Sequence, residues 1–188
     1  ECAHFNLGNA YYEKGKPKDA VSAYRKAIRL KPDHAGAHLA LGRVLQERRE
    51  LDAAVAEFRE AVRLNPDHAE AHFSLGRGLQ AKDDRAGAIA SYREAIRLKP
   101  SHADAHFGLG VMLGAQGELD AAIGEYRAAI RLRPDHAEAH VNLGIALYFK
   151  GDLDQVIAEF LEAIRLQPDF APAHFNLGKV LEEKGELQ

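Results

Sequence analysis

Residues 69–102 read AEAHFSLGRGLQAKDDRAGAIASYREAIRLKPSH, and residues 103–136 read ADAHFGLGVMLGAQGELDAAIGEYRAAIRLRPDH. Laid one over the other, Leu75-Gly76 falls on Leu109-Gly110 and Pro100 on Pro134. The same register extends both ways. Leu-Gly pairs recur at Leu7, Leu41, Leu75, Leu109, Leu143 and Leu177, and prolines at Pro32, Pro66, Pro100, Pro134 and Pro168, both series in steps of 34. The 188 residues therefore divide into five full units, 1–34, 35–68, 69–102, 103–136 and 137–170, and the start of a sixth, 171–188. A fixed period of this length marks a repeat architecture. The spacing predicts a single array over 1–188.

Each unit carries two helical stripes. Small and apolar residues at unit positions 3, 4, 7, 8 and 11, as in Ala71, His72, Leu75, Gly76 and Leu79, predict a first helix, A. Positions 20, 21, 24, 27, 28 and 30, as in Ala88, Ile89, Tyr92, Ala95, Ile96 and Leu98, predict a second, B. Gly15, Gly117, Gly151 and Gly185 stand between them, where a left-handed residue ends a helix. Units two and three have Arg49 and Asp83 there, which predicts a different turn geometry or strain. Beyond each proline, Asp67 with Glu70, or Asp135 with Glu138, has the spacing of a reciprocal cap for the next helix A. A mid-helix Gly costs about 1 kcal/mol relative to Ala, so the recurring Leu-Gly implies close helix packing. Ala20, Ala54, Ala88 and Ala122 present a small residue for that crossing, whereas Val156 is larger and predicts a local adjustment near Gly144. One hairpin would lose on the order of 50 kcal/mol of conformational freedom and cannot bury both faces, so units must stack.

Composition narrows the function classes. The chain is 46% apolar and 28% charged, enough for a folded core. Lys plus Arg number 25 against 28 Asp plus Glu, a net charge of −3 without the basic excess of a nucleic-acid footprint. No apolar run approaches 18 residues, and no basic stretch followed by an apolar one opens the chain, so neither a membrane span nor a signal peptide is predicted. Cys2 is the one cysteine and suits a reducing compartment, so the expected location is cytoplasmic. The sequence does not begin with Met, and Gly185-Glu186-Leu187-Gln188 reads as an element beginning, so an excerpt of a longer protein is expected.

The 34-residue period, with Leu7-Gly8, Tyr11, Ala20, Tyr24, Ala27 and Pro32 in unit one and their equivalents onward, resembles the tetratricopeptide repeat family over the whole chain. One departure is systematic: His4, His38, His72, His106, His140 and His174 stand where the family often has a large aromatic. The resemblance implies an all-α, right-handed superhelical solenoid of antiparallel helix pairs, with A helices lining a concave groove that holds a peptide or partner helix. The chaperone-tail clamp of some relatives is not expected: Asn9 fits it, but Phe5, Ala40, Glu70 and Ser74 occupy its other places.

The chemistry-bearing residues follow the repeat. The ten histidines fall on positions 4 and 34 and make four His-x-x-x-His pairs such as His68 with His72, a spacing able to chelate a metal but two ligands short of a site. They read as packing rings, and neither metal nor cofactor is expected. Arg63, Arg97 and Arg165 follow Glu60, Glu94 and Glu162 by three residues, which predicts pairs on a solvated helix face. No phosphate loop, nucleophile elbow or Ser/His/Asp constellation departs from the repeat, so no catalytic residue is expected.

Function is then sought where units differ, on the A-helix positions that by resemblance line the groove. Position 5 carries Phe5, Leu39, Phe73, Phe107, Val141 and Phe175; position 9 carries Asn9, Arg43, Arg77, Val111, Ile145 and Lys179; position 12 carries Tyr12, Gln46, Gln80, Gly114, Tyr148 and Glu182. Arg43, Arg77, Gln46 and Gln80 offer donors for a carboxylate. Phe107, Val111, Ile145, Tyr148 and Phe149 surround the small Gly108, Gly114 and Ala115 and read as an apolar pocket. The expected function is a non-catalytic scaffold for a protein or peptide with an acidic part and an apolar anchor. Two alternatives stand beside it: a regulatory segment of a larger enzyme, of protein-kinase or sugar-transferase type, and an array that self-associates end to end through faces bearing Ala173 and Leu177.

Overall fold

The structure, a computed structural model, describes residues 2–185; Glu1 and residues 186–188 of the tail singled out above lie outside the described residues. These hold eleven α-helices and no strand: α1 (Cys2–Glu13), α2 (Pro17–Leu30), α3 (Ala35–Glu47), α4 (Leu51–Leu64), α5 (Ala69–Ala81), α6 (Arg85–Leu98), α7 (Ala103–Ala115), α8 (Leu119–Leu132), α9 (Ala137–Tyr148), α10 (Leu153–Leu166) and α11 (Ala171–Lys184). Odd-numbered helices are the A helices of the repeat and even-numbered ones the B helices.

The chain forms two compact units, 1–100 and 101–188. In the first, α1/α2, α3/α4 and α5/α6 pair as hairpins, and α2 and α4 each pack on the helix that follows. In the second, α7/α8 and α9/α10 pair, α8 packs on α9, and α10 packs on α11. The core of the first unit joins Ala20, Tyr24, Leu41, Leu45, Ala54 and Phe58, so each hairpin seam is continuous with the next. In the second unit Leu109, Leu113, Tyr126, Leu143, Val156 and Phe160 are buried in the same way.

The Leu-Gly glycine packs against an aromatic ring of its own B helix. A Cβ at Gly42 would stand 2.6 Å from Phe58, one at Gly110 2.7 Å from Tyr126, and one at Gly144 2.6 Å from Phe160. The ring at position 24 makes the nearest contact with the glycine, and at Gly42 the backbone of the small position-20 residue approaches as well, with Ala54 O 3.2 Å from that Cβ. Val156 accordingly leaves the contact at Gly144 as tight as that at Gly42, and the adjustment expected there does not occur at that contact. The fifth repeat departs elsewhere: α9 ends at Tyr148, one residue short of α3, α5 and α7.

The turns inside the hairpins share one geometry. Gly15, Gly117 and Gly151 take φ of +66°, +81° and +85°, and Arg49 and Asp83 take +65° and +60°. Glu50 N donates to Leu45 O and Asp84 N to Leu79 O, as Lys16 N does to Tyr11 O, all at 2.9 Å. Of the two expectations for units two and three, a different geometry fails, because the bonds that close the helix require the left-handed residue. The side chains bear the cost, roughly 1 kcal/mol at Arg49.

Capping also departs from expectation. His34, His68, His102 and His136, not the Asp or Ser before each, are the N-caps of α3, α5, α7 and α9, and His34 Nδ1 accepts from Ala37 N at 3.2 Å. The turn after Pro66 folds back through His68 N donating to Asn65 O, at 3.3 Å. That leaves Asp67 one residue too early to reach the amides of the first turn.

Candidate functional site

In the first unit, a depression of about 300 Å³ opens between α1 and α3, lined by Phe5, Asn9, Tyr12, Tyr24, Gly36, Leu39, Ala40, Arg43 and Val44. The repeat places these residues at positions 5, 9 and 12 of one A helix, position 24 of its B helix, and positions 2, 5, 6, 9 and 10 of the next A helix. Phe5 is braced by Tyr24 and His34, with ring centroids 5.9 and 4.8 Å away. Leu39 is buried and forms the floor. Tyr24 donates to Asn9 Oδ1 at 2.8 Å. The Tyr12 hydroxyl donates to Glu47, and this bond, with some burial and the carboxylate charge, raises the phenol above its ordinary range.

The donors expected to meet a carboxylate are partly engaged. Arg43 pairs with Glu70 of the following A helix. Gln80 accepts from the Tyr92 hydroxyl at 2.6 Å through Oε1, leaving only its amide N–H groups outward. Arg77 is exposed, its guanidinium carbon 5.9 Å from the centroid of Phe73. Gln46 is half-buried.

In the second unit, a cavity of about 260 Å³ is lined by Ile145, Tyr148, Phe149, Phe160, Asn176, Lys179 and Val180. A neighbouring one of about 160 Å³ is lined by Val111, Gly114, Ala115, Leu119, Tyr126, Asn142, Ile145, Ala146 and Phe149. Val111, Ile145, Tyr148 and Phe149 thus gather around Gly114 and Ala115 across the two. Phe107 does not join them: its ring lies on Tyr126 and His136 at 6.1 and 4.6 Å, and Gly108 is buried. Tyr148 donates to Glu183 Oε2 at 2.6 Å and meets Phe149 edge-on at 5.8 Å. Lys179 Nζ sits 4.7 Å over the ring of Phe175.

Sequence reading missed the carboxylates of this surface. Tyr12 with Glu47, and Tyr148 with Glu183, are both 35 residues apart, so position 12 of one repeat meets position 13 of the next. That spacing was the available signal.

The position-4 histidines bridge backbone and helix B. His38 places Nδ1 2.6 Å from Glu57 Oε2 and Nε2 3.0 Å from Pro32 O. His106 and His140 meet Glu125 and Glu159 at 2.6 Å, while His72 and His174 bond to Pro66 O and Pro168 O at 2.8 Å. No group of three or more metal-ligating side chains forms among the described residues. Burial works against protonation of His140, yet the hydrogen bond and charge of Glu159 outweigh it and the pKa is raised. Its Nε2 makes no full hydrogen bond, although the Pro134 carbonyl still favours the protonated ring.

On the B helices, Arg63, Arg97 and Arg165 pair with Glu60, Glu94 and Glu162 at 2.6 Å, as the spacing predicts. The arginine hydrogen bonds hold these carboxyls below the ordinary range. No helix among the described residues is long and apolar enough to cross a membrane. Ala173, expected on an exposed terminal face, is fully buried, and Leu177 is half-buried.

A family model described as tetratricopeptide repeat matches residues 5–69, 39–79, 73–137, 113–169 and 141–188. No curated protein matches the chain in sequence. Among solved structures, MamA is 28% identical with a TM-score of 0.80, over 88% of this chain and 96% of that one. YrrB, a repeat protein of this kind with an unusual peptide-binding site, is 25% identical with a TM-score of 0.78, over 92% and 89% of the two chains. PilF of Pseudomonas aeruginosa, at 20% identity and a TM-score of 0.87 over 98% of this chain and 84% of that one, shares the fold.

Proposed function

The chain belongs to the tetratricopeptide repeat family, and from that premise we propose that it is a non-catalytic scaffold receiving a segment of a partner protein on its A-helix faces. The observation that carries this reading is where its exposed apolar groups stand. Four of the nine large hydrophobic side chains exposed among the described residues, Tyr12, Ile145, Tyr148 and Phe149, occupy A-helix positions 9, 12 and 13. Phe149 is 68% exposed, which costs hydration free energy unless a partner covers it. YrrB, built on the same repeat, has a peptide-binding site, which supports placing a peptide here.

The apolar anchor is the stronger half of the reading. An acidic partner meets Arg77 freely but has to displace Glu70 from Arg43. The test is affinity capture from a lysate of the source cell, comparing the natural chain with an Arg77→Glu, Phe149→Ala, Phe175→Ala variant of unchanged helicity. Partners lost only with the variant support the groove, and titration of the mapped segment then gives affinity and salt slope. Identical partner sets would move binding off these faces, and a slope unchanged by Arg77→Glu alone would remove the acidic part.

A further inference from the structure

Tyr24, Tyr92 and Tyr126 hold the same place in their repeats, each ring packed over a helix glycine. Two of the three hydroxyls are satisfied within the repeat: Tyr24 donates to Asn9 at 2.8 Å, and Tyr92 to Gln80 at 2.6 Å. The corresponding residues facing Tyr126 are Val111 and Gly114, neither of which has a side-chain acceptor. No described residue hydrogen-bonds the Tyr126 hydroxyl. The residue is 4% exposed, and burial pushes its pKa up to about 12, so the oxygen keeps its proton. The ring is buried, but the oxygen is not among the buried polar atoms left without a partner, so it is accessible at the cavity and free to donate to a partner there.

The space beside it explains what that partner can be. The oxygen stands 3.4 Å from where a Cβ of Gly114 would be, so the hydroxyl borders the room that the missing side chain leaves. Tyr126 and Gly114 both line the cavity of about 160 Å³, whose walls are mostly apolar: Val111, Leu119, Ile145 and Phe149. Its one other polar side chain, Asn142, already donates through Nδ2 to Glu138 O at 2.9 Å. No ionised group lines the cavity, so a charged ligand would lose its hydration without compensation. An uncharged ligand with an apolar body and one acceptor complements these walls.

We propose that this cavity is a side-chain pocket for an uncharged partner segment, in which a leucine-sized aliphatic group fills the lining and the adjoining main-chain carbonyl accepts from Tyr126. This rests on the scaffold reading for the identity of the partner as a protein. The pocket itself is testable without it.

The probe is N-acetyl-leucine methylamide, one leucine flanked by two peptide groups, titrated into the isotope-labelled chain and followed by amide chemical shifts. N-acetyl-glycine methylamide is the side-chain control. The expected result is saturable shifts at Gly114, Ala115, Ile145 and Phe149 with the leucine probe alone. Tyr126→Phe keeps the ring and removes the donor, and weakens the probe about fivefold, the ratio equivalent to one ordinary hydrogen bond. Gly114→Gln gives Tyr126 the acceptor that Gln80 gives Tyr92, fills the room, and abolishes binding with helicity retained. Shifts that do not saturate, that map elsewhere, or that are unchanged in Tyr126→Phe would overturn the pocket. A chain that ignores the probe while its partners still depend on Arg77 and Phe175 loses the pocket and keeps the scaffold. One that binds the probe while its captured partners ignore those residues does the reverse.

Discussion

At His140 two opposing effects meet. Burial disfavours the imidazolium, and Glu159, with smaller help from the Pro134 carbonyl and Glu162, more than reverses it. A histidine whose folded pKa lies above the ordinary 6.5 binds its proton more tightly folded than unfolded. Its contribution to stability is complete below pH 6.5 and is lost as pH rises through the folded value. His136 is shifted downward by burial and Arg133 and works in the opposite direction, so total stability mixes the two. The difference between the natural chain and Glu159→Gln isolates His140. That difference is expected to be about 1 kcal/mol below pH 6, some 2–4 °C in Tm, and to shrink as pH rises toward 8. Thermal unfolding of both proteins across this range checks it, and a gap that is constant or widens with pH removes the pair as its source. The ring's position was legible from the repeat, but its partner was not. Positions 4 and 23 lie 19 residues apart on opposite arms of a hairpin, and neither stripe period links them.

At the scale of the helix, periodicity identified the elements well and their ends less well. The A and B stripes fall within α1–α11 because one apolar face per helix must meet the next. The caps were misjudged because Asp has the stronger general preference, whereas the fold-back after each proline decides which residue stands at the helix start. Close helix packing at the Leu-Gly glycines is legible from their phase for the five complete repeats, but the ring at position 24 that closes over each of them is not. This distinction has a measurable consequence. Gly144→Ala would drive a methyl to 2.6 Å from Phe160 and is expected to destabilise by about 1–3 kcal/mol. Gly124, inside α8, has nothing within 4 Å of where a Cβ would stand, so Gly124→Ala is expected to gain about 0.5–1 kcal/mol of helix propensity. Chemical denaturation of the two variants tests this, and changes of the same sign would refute the ring contact as the reason for the glycine.

Across the whole molecule, the repeat made the fold readable and hid the site for the same reason: most residues answer to stacking. Of the candidate site, the meeting of Val111, Ile145 and Phe149 around one cavity was legible, because each breaks the pattern of its position. The carboxylates Glu47, Glu70 and Glu183 act from the neighbouring repeat, so no period within a helix links them to the site, and only the 35-residue offset shared by Tyr12–Glu47 and Tyr148–Glu183 signals two of them. Charge is unevenly spread as well, with 18 basic and 14 acidic residues in 1–100 against 7 and 14 in 101–188. The lateral pairs that join repeats, Lys82 with Asp52, Lys150 with Asp120 and Lys184 with Asp154, link position 14 to position 18 of the repeat before. Being exposed, they add little stability. Cohesion comes instead from burial, which is unequal among helices. In the first unit α1 buries only Gly8 whereas α3 buries seven residues, and in the second α11 buries two whereas α9 buries eight. In a chain whose repeats contact only their neighbours, opening free energy follows local burial. Native-state hydrogen exchange is therefore expected to protect α3 over α1 and α9 over α11, by an order of magnitude or more. Equal protection of all four would mean that each unit opens as a whole, and would require the nearest-neighbour couplings to exceed the differences in burial.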